Sequence, residues 1–105
     1  MENFRDIEAI HRFVKENKYT MLYFSLNNCG VCEDLLPKIK TLLKLYPQIN
    51  CGKIEADKYP ETKGAFSIFT FPCILFYIDG KELIREARFI SINQLEEKLK
   101  RYFML

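Results

Sequence analysis

The sequence predicts an α/β domain: a mixed central β-sheet with helices on both faces. Three observations predict it. Apolar, β-rich runs alternate with segments of helical periodicity through the first two thirds of the chain. Asp79-Gly80 then stands between two further β-rich runs, a strong short-range signal for a hairpin. A capped amphipathic segment closes the chain. Alternation implies parallel strands joined by helices, and a hairpin adds antiparallel ones, so the sheet is mixed.

The elements follow in order. Asp6 caps a first helix running to about Asn17, with Ile7, Ile10, Phe13 and Val14 on one face. Tyr19 to Leu26 reads as a strand buried on both faces, and Asn27-Asn28 turns the chain. From Gly30 the periodicity is helical, with Leu35, Leu36, Ile39, Leu42, Leu43 and Tyr46 on one side. Pro37 kinks that helix and Pro47 ends it. Cys51 to Ala56 is a short strand. Asp57 or Tyr59 then caps a brief helix with Pro60 in its first turn. Phe71 to Ile78 and Glu82 to Phe89 are the strands of the hairpin. Ser91-Ile92-Asn93-Gln94 has the form of a capping box, opening a last helix with Ile92, Leu95, Leu99 and Phe103 inward.

Composition narrows the function. At 105 residues with 49% hydrophobic and 14% aromatic content, one domain spanning residues 1–105 can build a core without cross-links. The four cysteines are therefore free for other work. Two lie in Cys29-Gly30-Val31-Cys32, while Cys51 and Cys73 stand alone in apolar stretches, which is not the spacing of a secreted disulfide framework. The N-terminus has neither a basic nor an apolar leader region, and an apolar run such as Ile74 to Ile78 is far short of a membrane span. A cytoplasmic chain that binds no membrane is expected. Sixteen basic and 14 acidic residues, net +2, are dispersed along the chain and predict no nucleic-acid partner. Lys38, Lys40 and Lys44 are read as a solvated helix face.

The pair Cys29 and Cys32 lies at a strand-to-helix junction. Two thiols three residues apart there close a small disulfide with little backbone movement. The first of them also meets the free amides and positive dipole end of the helix, which stabilise a thiolate. Thiol–disulfide exchange is the expected chemistry, with Cys29 the nucleophile and Cys32, one turn further in, the resolving thiol. Half a zinc site is the competing reading. A tetrahedral zinc needs four ligands, and the remaining candidates, His11, Cys51 and Cys73, lie in separate segments, so no metal is expected. No GxGxxG occurs, so no nicotinamide or flavin cofactor is expected and electrons must come from a separate reductase.

Taken in order, these residues resemble thioredoxin over nearly the whole chain: the strand before Cys29-Gly30-Val31-Cys32, Pro37 five residues after the second cysteine, Lys53-Ile54-Glu55-Ala56-Asp57, Pro60, Phe71-Pro72 before a strand, and the Asp79-Gly80 hairpin. The resemblance implies a cis bond at Pro72, a Phe71 backbone that pairs with an extended client, and disulfide-containing proteins as those clients. Gly30 and Val31 would form the active-site loop. Four positions depart from the pattern. Tyr23 stands for a buried aspartate that helps deprotonate the second cysteine, and Asn28 for a tryptophan. Gly-Val lacks the usual proline, and Arg88 stands for a glycine lining the client groove.

Lys53 corresponds to a lysine near that missing aspartate. Proton removal from Cys32 then falls to water or Lys53, with Glu33 or Glu55 as nearby charges. Tyr23 is expected in the core with its hydroxyl bonded. Cys73, next to Pro72, either modulates the pair, even through an alternative disulfide, or is a small core residue; Cys51 is expected in the core and His11 without a role. Phe4, Tyr59, Phe66, Phe69 and Phe71 are candidates for an apolar patch around the dithiol. The function expected is a protein disulfide reductase. Two others compete: a binding adaptor with a slow dithiol, or a more oxidising oxidase or isomerase.

Overall fold

The computed structural model describes residues 1–104. Nine elements follow one another: β1 (Glu2–Asn3), α1 (Ile7–Glu16), β2 (Tyr19–Ser25), α2 (Gly30–Leu43), β3 (Asn50–Glu55), α3 (Glu61–Ala65), β4 (Cys73–Ile78), β5 (Lys81–Ala87) and α4 (Ile92–Phe103). The strands form one sheet in the order β1-β3-β2-β4-β5. β1 and β2 run parallel to β3, while β4 runs antiparallel to both β2 and β5.

Alternation along β2 and β4 divides the interior in two. Met21 and Tyr23 on β2, with Ile74 and Phe76 on β4, face α2 and α4 and pack on Leu35, Ile39, Leu42, Leu95 and Leu99. Leu22 and Phe24, with Cys73, Leu75 and Tyr77, face the other way onto Ile10 and Val14 of α1 and onto Phe66 and Ile68. These two strands are central and covered on both faces, which is why they read as continuous apolar runs.

Caps fix the helix starts. Asp6 Oδ1 accepts from the Ala9 amide at 2.8 Å, and Ser91 Oγ from the Gln94 amide at 3.2 Å. Asp79 and Gly80 both take positive φ, 50° and 79°, as a tight two-residue hairpin requires.

Several elements differ from expectation: β2 (Tyr19–Ser25), β3 (Asn50–Glu55) and the start of β5 (Lys81) shift by one residue, and five differences have a structural reason. β1 has no counterpart in the sequence reading, because two residues carry no periodicity and owe their extended state to β3. Neither Asp57 nor Tyr59 caps α3. Pro60 holds that position with no side-chain bond, and Thr62 Oγ1 instead donates to the Tyr59 carbonyl at 2.7 Å. β4 begins at Cys73 rather than Phe71, since Pro72 has no amide for the ladder. β5 stops at Ala87 rather than Phe89, because Arg88 turns to φ 71°. α2 ends at Leu43, and bonds from the Leu45 and Tyr46 amides back three residues carry the turn to Pro47.

Burial leaves an electrostatic signature. The Tyr23 and Tyr77 hydroxyls are pushed up to about 12 from 10.0 by desolvation. Desolvation likewise raises the Cys51 thiol to about 12 and the Cys73 thiol to about 11, from 9.0. These groups hold their protons in the folded protein and lose them in the unfolded chain once pH passes 9.0 to 10.0. The unfolded state then binds fewer protons, so stability falls as pH rises through that window toward 12. Urea unfolding at pH 8 and pH 10.5 should differ by on the order of 5 kcal/mol. A flat profile would mean that these groups are not held away from water.

Candidate active site

β2 delivers the chain to the site. Asn28 takes the left-handed conformation (φ 57°), which asparagine tolerates better than most residues, and the Asn27 amide donates to Asp57 Oδ2 at 3.0 Å just beyond β3. The turn thereby places Cys29 at the N-cap of α2, where its Sγ accepts from the Cys32 amide at 3.2 Å. The Cys29 carbonyl takes the Glu33 amide at 3.0 Å. Cys29 and Cys32 are joined by a disulfide across a Cα–Cα distance of 5.2 Å. Cys29 is half-buried, Cys32 is 2% exposed, and between them Gly30 is exposed and Val31 is 62% exposed.

Topology gathers the other expected residues at the same end of the sheet. β4 runs antiparallel to β2 with Cys73 opposite Phe24, so Phe71 and Pro72 lie at the end where β2 releases the chain toward Cys29. The Phe71–Pro72 peptide is cis, and the Pro72 carbonyl accepts from the Arg88 amide at 2.9 Å. Phe71 is half-buried and packs on both halves of the core, whereas Cys29 packs on the α2–α4 half.

Tyr23 is fully buried, and its hydroxyl donates to the Cys32 carbonyl at 2.6 Å. With its proton held up to about 12, this hydroxyl is no base at neutral pH. It is a strut under the first turn of α2. Beside it, Cys32, Glu33, Leu36, Lys53 and Glu55, with residues 25–28, line a small pocket of about 90 Å³. Lys53 is the one cation lining it, and Glu55 is engaged by Lys58 at 3.1 Å.

Cys73 is 1% exposed and lies in the core half opposite Cys32, among Leu22, Phe24 and Leu75. That placement gives it no route to a disulfide with the active pair. Cys51 is only half-buried and lines a groove of about 510 Å³ with Met1, Phe13, Lys40 and Leu43, on the half of the sheet that faces α2. It is less enclosed than expected because it lines this surface groove rather than the closed interior. The aromatic patch also differs: Phe4 packs edge-on against Phe13, 5.1 Å between centroids, and Phe66 is 8% exposed. Strongly exposed apolar side chains include Val31, Phe69 and Phe89.

Arg85 was not singled out by the sequence. Its guanidinium forms a fork with Glu82 (2.8 and 2.9 Å) and donates to the carbonyls of Phe66 and Ser67 (2.9 and 3.0 Å), tying β5 to the segment that leads into Phe71-Pro72. The pairing with Glu82 is local, but no local pattern marks the tether, because the backbone oxygens it reaches lie 18 and 19 positions away. Among the described residues no group of three or more His, Cys, Asp or Glu side chains is arranged to hold a metal ion, and no helix is long and apolar enough to cross a membrane.

Comparison with known proteins agrees with this geometry. The family model Thioredoxin matches residues 4–101. The thioredoxin-like protein YdfQ of Bacillus subtilis is 42% identical over 105 residues, covering all of this chain and 94% of that one. The X-ray structure of Fasciola hepatica thioredoxin superposes with a TM-score of 0.86 at 26% identity, covering 96% of this chain and 98% of that chain. A point-mutant thioredoxin from Halobacterium salinarum shares the fold with a TM-score of 0.85 at 18% identity, covering 98% of this chain and 90% of that chain. The chain belongs to the thioredoxin family, with the Cys29–Cys32 pair of a thiol–disulfide oxidoreductase.

Proposed function

We propose that this single thioredoxin-like domain is a cytoplasmic protein disulfide reductase, with Cys29 as nucleophile and Cys32 as resolving thiol. The observation that carries the reading is the placement of Cys29 Sγ at the N-cap of α2, half-buried, with Cys32 enclosed behind it. Free amides and the helix dipole favour a thiolate on the outer sulfur, and only the outer sulfur has room for a client.

The reduced protein begins with a Cys29 thiolate and a Cys32 thiol. Cys29 attacks one sulfur of a client disulfide, the client S–S bond breaks, and the displaced client thiolate takes a proton. Cys32 then loses its proton and attacks Cys29 Sγ. The mixed disulfide breaks, the second client thiol leaves, and the Cys29–Cys32 disulfide forms. Two electrons pass from protein to client. A separate dithiol-supplying reductase returns them, and the protein needs no bound cofactor of its own.

The backbone of Phe71, beside cis-Pro72, pairs with an extended client segment. Gly30 and Val31 keep the client-facing turn open. Because Tyr23 holds its proton, water admitted by the small pocket takes the Cys32 proton, and the Lys53 ammonium stabilises the thiolate left behind. Cys73 acts as core packing.

The test is reduction of insulin with dithiothreitol as electron donor, together with a redox titration of the pair. The protein should accelerate insulin reduction well above the dithiothreitol rate. Its potential should lie below the cytosolic glutathione poise of about −220 to −260 mV. A dithiothreitol-only rate would point to an adaptor, and a potential well above that poise to an oxidase or isomerase.

A further inference from the structure

We infer that Arg88 sets client choice, favouring disulfide clients with a carboxylate side chain next to the attacked cysteine. The inference deepens the reductase reading and rests on it. Arg88 occupies the left-handed region (φ 71°), which is costly for a residue with a Cβ and free for glycine. Its amide donates to the Pro72 carbonyl, which fixes its Cα beside the Phe71–Pro72 segment where a client strand would pair. Its side chain is exposed, with the guanidinium 5.5 Å from the ring centroid of Phe89, itself 88% exposed. An arginine beside an aromatic ring keeps its donor fork free, which suits bidentate pairing with a carboxylate.

The surrounding charge agrees. Lys63 Nζ lies 5.7 Å from the Phe71 ring centroid, so a second cation flanks the same segment. Neither Arg88 nor Lys63 takes part in an ion pair among the described residues. Of the acids at this end of the sheet, Glu86 on β5 is paired with Lys98, Glu55 with Lys58, and Asp57 accepts from the Asn27 amide, while Glu33 and Asp34 lie on α2 and Glu61 opens α3. A client lying along Phe71-Pro72 therefore meets unpaired positive charge, and a carboxylate there pairs where a lysine is repelled.

The test uses three synthetic cystine peptides identical except for Asp, Ala or Lys beside the attacked cysteine. Single-turnover rates with the pre-reduced protein are divided by the rates with dithiothreitol, which removes the peptide's own effect on its disulfide. The normalised Asp:Lys ratio should be about fivefold for the wild type, about twofold for Arg88→Gly, where Lys63 remains, and lower again for Arg88→Glu, and it should shrink in high salt. A wild-type ratio of one, or a ratio that Arg88→Gly leaves unchanged, overturns the inference. Chemical-shift titration of the oxidised protein with the same peptides reads the preference without turnover. If no peptide is reduced, the reductase reading falls. The preference is then decided by binding alone: about fivefold tighter binding of the Asp peptide supports it, and equal affinity overturns it.

Discussion

Replacing Cys29 with serine is expected to abolish disulfide reduction, by at least about 1,000-fold in rate, without unfolding the protein. A serine hydroxyl at the N-cap of α2 still accepts the amide that Cys29 Sγ accepts, and serine is among the preferred caps, so the helix start is preserved while the nucleophile is lost. Cys32→Ser should behave differently. The first attack proceeds, but nothing resolves it, so a covalent client–Cys29 mixed disulfide accumulates and can be seen by intact mass. If Cys29→Ser keeps its turnover, or Cys32→Ser traps nothing, the roles assigned to the two sulfurs are wrong.

Truncating Tyr23 should have the largest effect on stability. The ring is fully buried between β2 and α2, so Tyr23→Ala opens a cavity and removes the bond to the Cys32 carbonyl, at a cost of about 3–5 kcal/mol. Tyr23→Phe keeps the ring and deletes only the hydroxyl, leaving the Cys32 carbonyl short of a partner, at a cost of about 1–1.5 kcal/mol. Urea unfolding of both variants separates the two contributions. Equal losses would mean that the hydroxyl bond, rather than the ring, dominates; a Phe variant as stable as the wild type would mean the bond contributes nothing.

The sequence made the catalytic end of the fold legible because its signals are local. A two-thiol motif after an apolar strand, a proline before the next strand and an Asp-Gly turn each impose a geometry within a few residues. Non-local features were not legible. Which way Cys73 points depends on the β2–β4 register, with Phe24 opposite Cys73, and no residue near Cys73 encodes that pairing. Phe4 illustrates the same point. It lies over Gly52, where an added Cβ would sit 2.5 Å from Phe4 Cζ, so a glycine 48 positions later in the sequence makes room for an aromatic that looked free to join a surface patch. The left-handed turn at Arg88 was hidden for a further reason: arginine does not advertise positive φ, and only its bond to Pro72 reveals what the position demands.

The sheet order carries a consequence for solubility. Open strand edges invite other chains to add themselves, the first step toward fibrils. On one side the outer edge of β3 is partly sealed by a two-residue strand, Glu2 beside Gly52 and Asn3 beside Lys53. On the other, β5 lines its open edge with Lys81, Glu82, Arg85 and Glu86, and a register shift at Phe76/Tyr77 interrupts the ladder behind it. An incoming strand meets a short cover at one end and charge on an irregular strand at the other. The apolar central strands that make the core so well packed are thereby kept from templating their own aggregation.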